Sequence, residues 1–194
     1  MHDIRPPNPS STRRVLLYSG HMIDAPGRAR PRFPPALEDA VAAAIGRELA
    51  QLRFGPGDLA VGSAACGADI LVAEDARRRG GELRLSLPFD AKTFARESVD
   101  FAGGAWPTRF AALVAHAPPQ LAPEALGPLP EGVDPYERTN VWMLSQAQRL
   151  SGGAFVFLGV WNGEGGDGPG GVQHMVDVVR NSGGQARLIN PGRL

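Results

Sequence analysis

The residues of this 194-residue chain that could do chemistry gather behind three apolar segments. Behind VLLYS (15–19) comes SGHMIDAPGRARPRF. There Ser19, Gly20 and His21 offer a hydroxyl, backbone amides and an imidazole, and Asp24, Arg28 and Arg32 add charge. Amides and a hydroxyl can meet a ligand while Asp24 or an arginine reaches ribose or phosphate; the same residues also suit a Gly/Pro surface loop with solvated charges. Behind LAVGS (59–63) comes GSAACGAD, where Gly62 and Gly67 permit close backbone approach and Ser63 is a further ligand-binding candidate. Asp69 falls in the first turn of the helix that follows, where a carboxylate bonds free amides and opposes the helix dipole. Cys66 reads as a small buried hydrophobe, because no histidine partner for a nucleophile is identifiable. The third stretch, behind AFVFLGVW (154–161), is the richest, with seven glycines in residues 159–171. Gly168, Pro169, Gly170 and Gly171 can follow phosphate oxygens closely, and Val172 and Gln173 open a helix whose free amides and dipole favour an anion. Trp161 and Asn162, at the strand end, are placed to stack on and hydrogen-bond a base.

Five strands and five helices must hold these loops. VLLYS and AFVFLGVW are nearly continuous apolar runs, the pattern of central parallel strands buried on both faces, and LAVGS is a shorter one. ELRLSLP (82–88) alternates, with Arg84 and Ser86 opposite three leucines, and ARLIN (186–190) is half polar; both read as edge strands. Helical spacing links Leu37, Val41, Ile45, Leu49 and Leu52. Further helices fit 68–79, 108–116, 136–150 and 172–181, the first of these ended by Gly80-Gly81 and the last by Gly183-Gly184. Strand and helix in alternation predict an α/β, three-layer Rossmann-like parallel sheet of order 3-2-1-4-5, with helices on both faces. Ligands in such sheets bind outside the carboxyl ends of the strands, at the switch point between strands one and four. All three loops belong to that edge. Residues 1–13 read as a disordered tail, and 14–194 as a single domain interrupted by a loop, 117–135, with six prolines.

Composition excludes other classes. Acidic and basic residues balance at 20 each, so the basic excess usual in nucleic-acid binders is missing. Nineteen of the basic residues are arginine, which suits phosphate recognition, but the bias more often reflects a GC-rich genome. No apolar run is long enough for a membrane helix, the first residues lack the apolar stretch of a signal peptide, and one cysteine suits a reducing cytoplasm. No metal-ligand spacing occurs among His2, His21, His116, His174 and Cys66. Neither a P-loop nor a G-x-G-x-x-G motif follows the first strand, so no cofactor is indicated.

Two segments carry a resemblance. GSAACGAD resembles the glycine-serine, then glycine-acid segment of Smf-like proteins, and PGGVQHMVD (169–177) resembles the Pro-Gly-Gly-x-Gly-Thr-x-x-Glu motif of LOG-type phosphoribohydrolases. Both groups belong to the SMF/LOG (SLOG) superfamily of Rossmann-like nucleotide-binding domains. Pro169, Gly170 and Gly171 match the motif, Gln173 and His174 replace its glycine and threonine, and Asp177 stands at the glutamate position. Glu137-Arg138 is similar to the Glu-Arg pair whose arginine meets substrate in LOG enzymes. The resemblance implies a nucleotide-derived ligand and dimerisation through helices flanking the site. Its enzymatic form, hydrolysis of a nucleoside monophosphate at the N-glycosidic bond, would make Asp177 and Arg138 catalytic. Asp177 is one methylene short of glutamate, on the order of 1 Å, an offset that can lower a rate ~100-fold. The altered Gly-Thr pair also changes the cradle. Binding of a nucleotide or nucleotide-derived signal is therefore the expected function, and glycosidic hydrolysis the alternative.

Overall fold

A computed structural model describes residues 13–164, 171–182 and 184–194. The expected tail therefore lies outside the described residues except for Arg13, as do Gly168, Pro169 and Gly170.

The chain begins with β1 (Val15–Gly20), α1 (Glu38–Gln51), β2 (Leu59–Gly62), α2 (Ala68–Arg78) and β3 (Glu82–Leu87). Next come α3 (Ala91–Ser98), α4 (Trp106–His116), β4 (Gln120–Leu121), α5 (Ala122–Leu126) and α6 (Pro135–Ser151). It ends with β5 (Val156–Val160), α7 (Val172–Asn181) and β6 (Gln185–Ile189). All strand pairs are parallel, in the order β4-β3-β2-β1-β5-β6. The five expected strands keep their predicted relative order. The sixth, β4, adds two residues beyond β3, pairing Ser86 with Gln120 and Leu87 with Leu121.

That addition corrects the reading of β3 as an edge. The polar face of its carboxyl end is covered: Ser86 is fully buried, and Gln146 Nε2 of α6 donates to its Oγ at 3.1 Å. Alternation mistook a hydrogen-bonded buried serine for a solvated one. The segment read as one proline-rich loop holds β4 and α5, and α3 was not anticipated. Eight residues with one large apolar side chain, Phe94, give too short a periodic signal. Its local signal is Asp90, which accepts from the Thr93 amide at 2.9 Å and from the Thr93 hydroxyl at 2.7 Å.

Alternation across the central strands builds the three layers. Leu16 and Tyr18 of β1, Ala60 of β2, and Leu158 and Val160 of β5 join one core with α1, α2 and α4. Val15, Leu17, Leu59, Val61 and Phe157 face the other way, into a core with α6 and α7. Both faces of β1 are thus dry, which is why its run is apolar throughout. Its carboxyl end, and those of β2, β3 and β5, open on one edge of the sheet.

Candidate functional site

At that edge lies a cavity of about 340 Å³, within the range of small-molecule sites. Ser19, Gly20, His21 and Met22 reach it from the end of β1, and Ser63, Ala65 and Asp69 from the β2–α2 turn. Pro88, Phe94, Glu97 and Ser98 form the α3 side. Asp134, Tyr136, Thr139, Asn140 and Met143 come from the start of α6, and Gly171 and Val172 from the start of α7. The amino ends of α2, α6 and α7 therefore border one space. That of α6 is capped by Asp134, which accepts from the Glu137 amide at 2.8 Å, whereas Gly67 and Gly171 cap α2 and α7 without side chains. The helix dipoles give the space a positive backbone potential, although at α2 the Ala68 and Ile70 amides already donate to the His21 and Ala65 carbonyls.

The turn between β2 and α2 is set by packing. A Cβ at Gly62 would sit inside the ring of Tyr18, whose hydroxyl donates to the Ser63 carbonyl at 2.9 Å. The space expected for a ligand at Gly62 belongs to that ring. Gly67 takes φ +95°, and a Cβ there would lie 2.6 Å from the Ile23 nitrogen. It lets two loops touch: Ala68 donates to the His21 carbonyl at 3.1 Å and Ile23 to the Cys66 carbonyl at 3.3 Å. Burial pushes the Cys66 thiol up to about 12, so it holds its proton at neutral pH.

His21 joins the two central loops. It is buried, its Nε2 lying 3.0 Å from Asn162 Oδ1 and accepting from the Asn162 amide at 3.2 Å when unprotonated. Burial lowers its pKa, against an upward pull from the Asn162 bond. Two residues 141 positions apart, both singled out as loop candidates, are thus hydrogen-bonded partners across the β1–β5 switch point.

Asp69 and Ser63 hold the least satisfied polar atoms of the wall. Asp69 Oδ2 accepts from the Ala65 amide at 3.3 Å, a residue ahead of the helix it was expected to cap. Its Oδ1 and the Ser63 Oγ are buried and have no hydrogen-bond partner among the described residues. Burial drives the Asp69 carboxyl up to about 7, against the Ala65 and Gly20 amides that pull it down. Opposite, the Tyr136 hydroxyl lies 3.0 Å from Ser98 Oγ, and its ring meets Phe89 edge-on at 5.6 Å.

Other expected site residues are placed elsewhere. Asp24 braces its own loop: Oδ2 accepts from the Arg32 and Phe33 amides at 2.8 and 2.9 Å, and Oδ1 lies 3.4 Å from Arg28 Nε. Trp161 packs on the α6–α7 core and donates from Nε1 to the Glu164 carbonyl at 2.6 Å, away from the cavity wall. Gln173 and Asp177 are exposed on α7. Arg138 donates to the carbonyls of Leu126, Gly127 and Pro128 at 2.7–3.1 Å, closing the end of α5. Neither Asp177 nor Arg138 lines the cavity. Sequence reasoning missed the contributions of α3 and α6. Phe94, Ser98, Tyr136 and Asn140 follow no glycine loop, and only the Asp134-Pro135 helix start marks their neighbourhood.

Among the described residues no helix is long and apolar enough to cross a membrane, and no three His, Cys, Asp or Glu residues are grouped to hold a metal ion. No family model matches the sequence, and no curated protein does. The solved structure of the Moco Carrier Protein from Chlamydomonas reinhardtii is similar over 91% of this chain and 76% of its own, at 13% sequence identity and a TM-score of 0.42.

Proposed function

We propose that this domain binds a nucleotide or nucleotide-derived small molecule in the cavity at the carboxyl edge of the sheet. The observation that carries the reading is the lining, which combines three helix amino ends and several hydroxyls with the apolar surfaces of Phe94, Tyr136, Met22 and Met143. Aromatic and thioether surface suits a flat base, and free backbone amides suit an anion. The volume of about 340 Å³ is large enough for a nucleoside-sized group. Glycosidic hydrolysis by Asp177 and Arg138 draws no support from their positions, since one faces solvent and the other is held by three carbonyls.

The test is a thermal-shift screen with nucleoside mono-, di- and cyclic phosphates, NAD and ADP-ribose. A ligand at 100 times its dissociation constant adds about 2.7 kcal/mol, or roughly 5–11 °C for a domain of this size. Absence of any shift at millimolar ligand would overturn the proposal.

A further inference from the structure

Resting on that reading, we propose that Asp69 and Ser63 form the hydroxyl-recognition end of the cavity and take the 2′,3′-diol of a ribose, with the ligand's phosphate at the α7 end. Asp69 is 6% exposed, yet its Oδ1 has no partner among the described residues, and the same holds for the buried Ser63 Oγ. Buried polar atoms are ordinarily hydrogen-bonded, and an exception on a cavity wall marks a place where a partner belongs. The two residues flank one turn, six positions apart, and both border the cavity.

Chemistry selects the partner. In its ionised form the carboxylate only accepts, so the group that Oδ1 takes in that form is a donor. Ser63 can donate or accept, and a pair of adjacent hydroxyls satisfies both residues. Phosphate suits this place poorly, because it would bring negative charge against a buried carboxylate to which no basic side chain is bonded, although Arg32 also lines the cavity. The amino end of α7, which no side chain caps, faces no such buried carboxylate bond. Asp69 reads from sequence as a helix-start residue; its hydrogen bond from the Ala65 amide uses Oδ2, and although the Gly20 amide also acts on the carboxyl, Oδ1 has no hydrogen-bond partner among the described residues.

The experiment measures dissociation constants of ribose 5-phosphate and the four nucleoside monophosphates against their 2′-deoxy forms, by calorimetry, for the parent, Asp69→Asn and Ser63→Ala. A hydrogen bond to a charged group is worth about tenfold or more in binding. We expect the ribo form to be preferred at least tenfold by the parent, and within about twofold by Asp69→Asn. Ser63→Ala should lose part of the preference and serves as the second variant if Asp69→Asn fails to fold. Binding without preference, or a preference unchanged in both variants, overturns the diol assignment and leaves nucleotide binding standing. No binding of any ribo or deoxy compound overturns both.

Discussion

Replacing Asp69 by asparagine should stabilise the free protein, and increasingly so as pH rises. The carboxyl is 6% exposed and pushed from an ordinary 3.8 to about 7 by burial. A raised carboxyl pKa means the folded state holds its proton longer than the unfolded chain does. Stability from this group is therefore complete below about pH 4, declines as the unfolded chain ionises, and reaches its floor above pH 7. A shift of about three units corresponds to roughly 4 kcal/mol across the whole range. Between pH 5 and 8 the share is roughly 3 kcal/mol, or about 6–12 °C in midpoint. Asparagine keeps the shape and the Ala65 contact but never ionises. The measurement is the thermal midpoint of Asp69→Asn minus that of the parent at each pH, a difference that cancels the titration of other carboxylates. Tyr18 and Cys66 feel the Asp69 charge, but both are raised and neither ionises in this window. We expect the difference, already in favour of the variant at pH 5, to grow by several degrees more by pH 8. A difference that stays flat across the range would show that Asp69 titrates normally, and the account of a buried, half-satisfied carboxyl would fall.

Gly62→Ala should lower stability by about 1–3 kcal/mol, because the added methyl meets the Tyr18 ring; an unchanged midpoint in denaturant would contradict that packing. Asn162→Leu should move the His21 titration to still lower pH, since the Asn162 bond is what raises it; an upward shift by NMR would refute the assignment. Arg138→Ala should speed proteolysis or amide exchange around 122–130, by loss of three carbonyl contacts, while leaving nucleotide affinity within about twofold; a lost affinity would return Arg138 to the ligand.

Much of the positioning framework was legible because its physics is local. Continuous apolar runs mark β1 and β5 as central, and the loops behind β1, β2 and β5 follow from the parallel order. His21 and Asn162 were therefore singled out separately, although nothing in the sequence says that they touch; that contact depends on strand register, with Ser19 opposite Gly159 and Gly20 opposite Val160. Glycines misled in one respect. Gly62 looks like room for a ligand and is room for Tyr18, a distinction set by a side chain 44 residues away. Arg138 and Asp177 were chosen by motif position, and motif position does not say which way a helix face turns. The α3 and α6 walls were illegible for another reason: α3 reaches the cavity through Phe94, Glu97 and Ser98 and α6 through its first turns, and the capping aspartates that mark the two helices, Asp90 and Asp134, look the same wherever a helix leads.

Asp69 shows how one residue can be explained by helix chemistry and still point to a ligand. A first-turn carboxylate earns a favourable dipole term of up to ~2 kcal/mol when partly buried. Its burial here works against that by roughly 4 kcal/mol at neutral pH. Capping alone therefore gives no net reason for an acid at this position; serine or asparagine would bond the Ala65 amide without the charge. What an acid adds is a strong acceptor at the wall of a cavity, held near its own pKa so that it is present in quantity at pH 7. A donor group bound there would pull the carboxyl back down and recover stability that the empty site lacks. Ligand binding and proton release are then linked: the affinity for a hydroxylated ligand should rise as pH climbs from 6 to 8, and Asp69→Asn should remove that dependence.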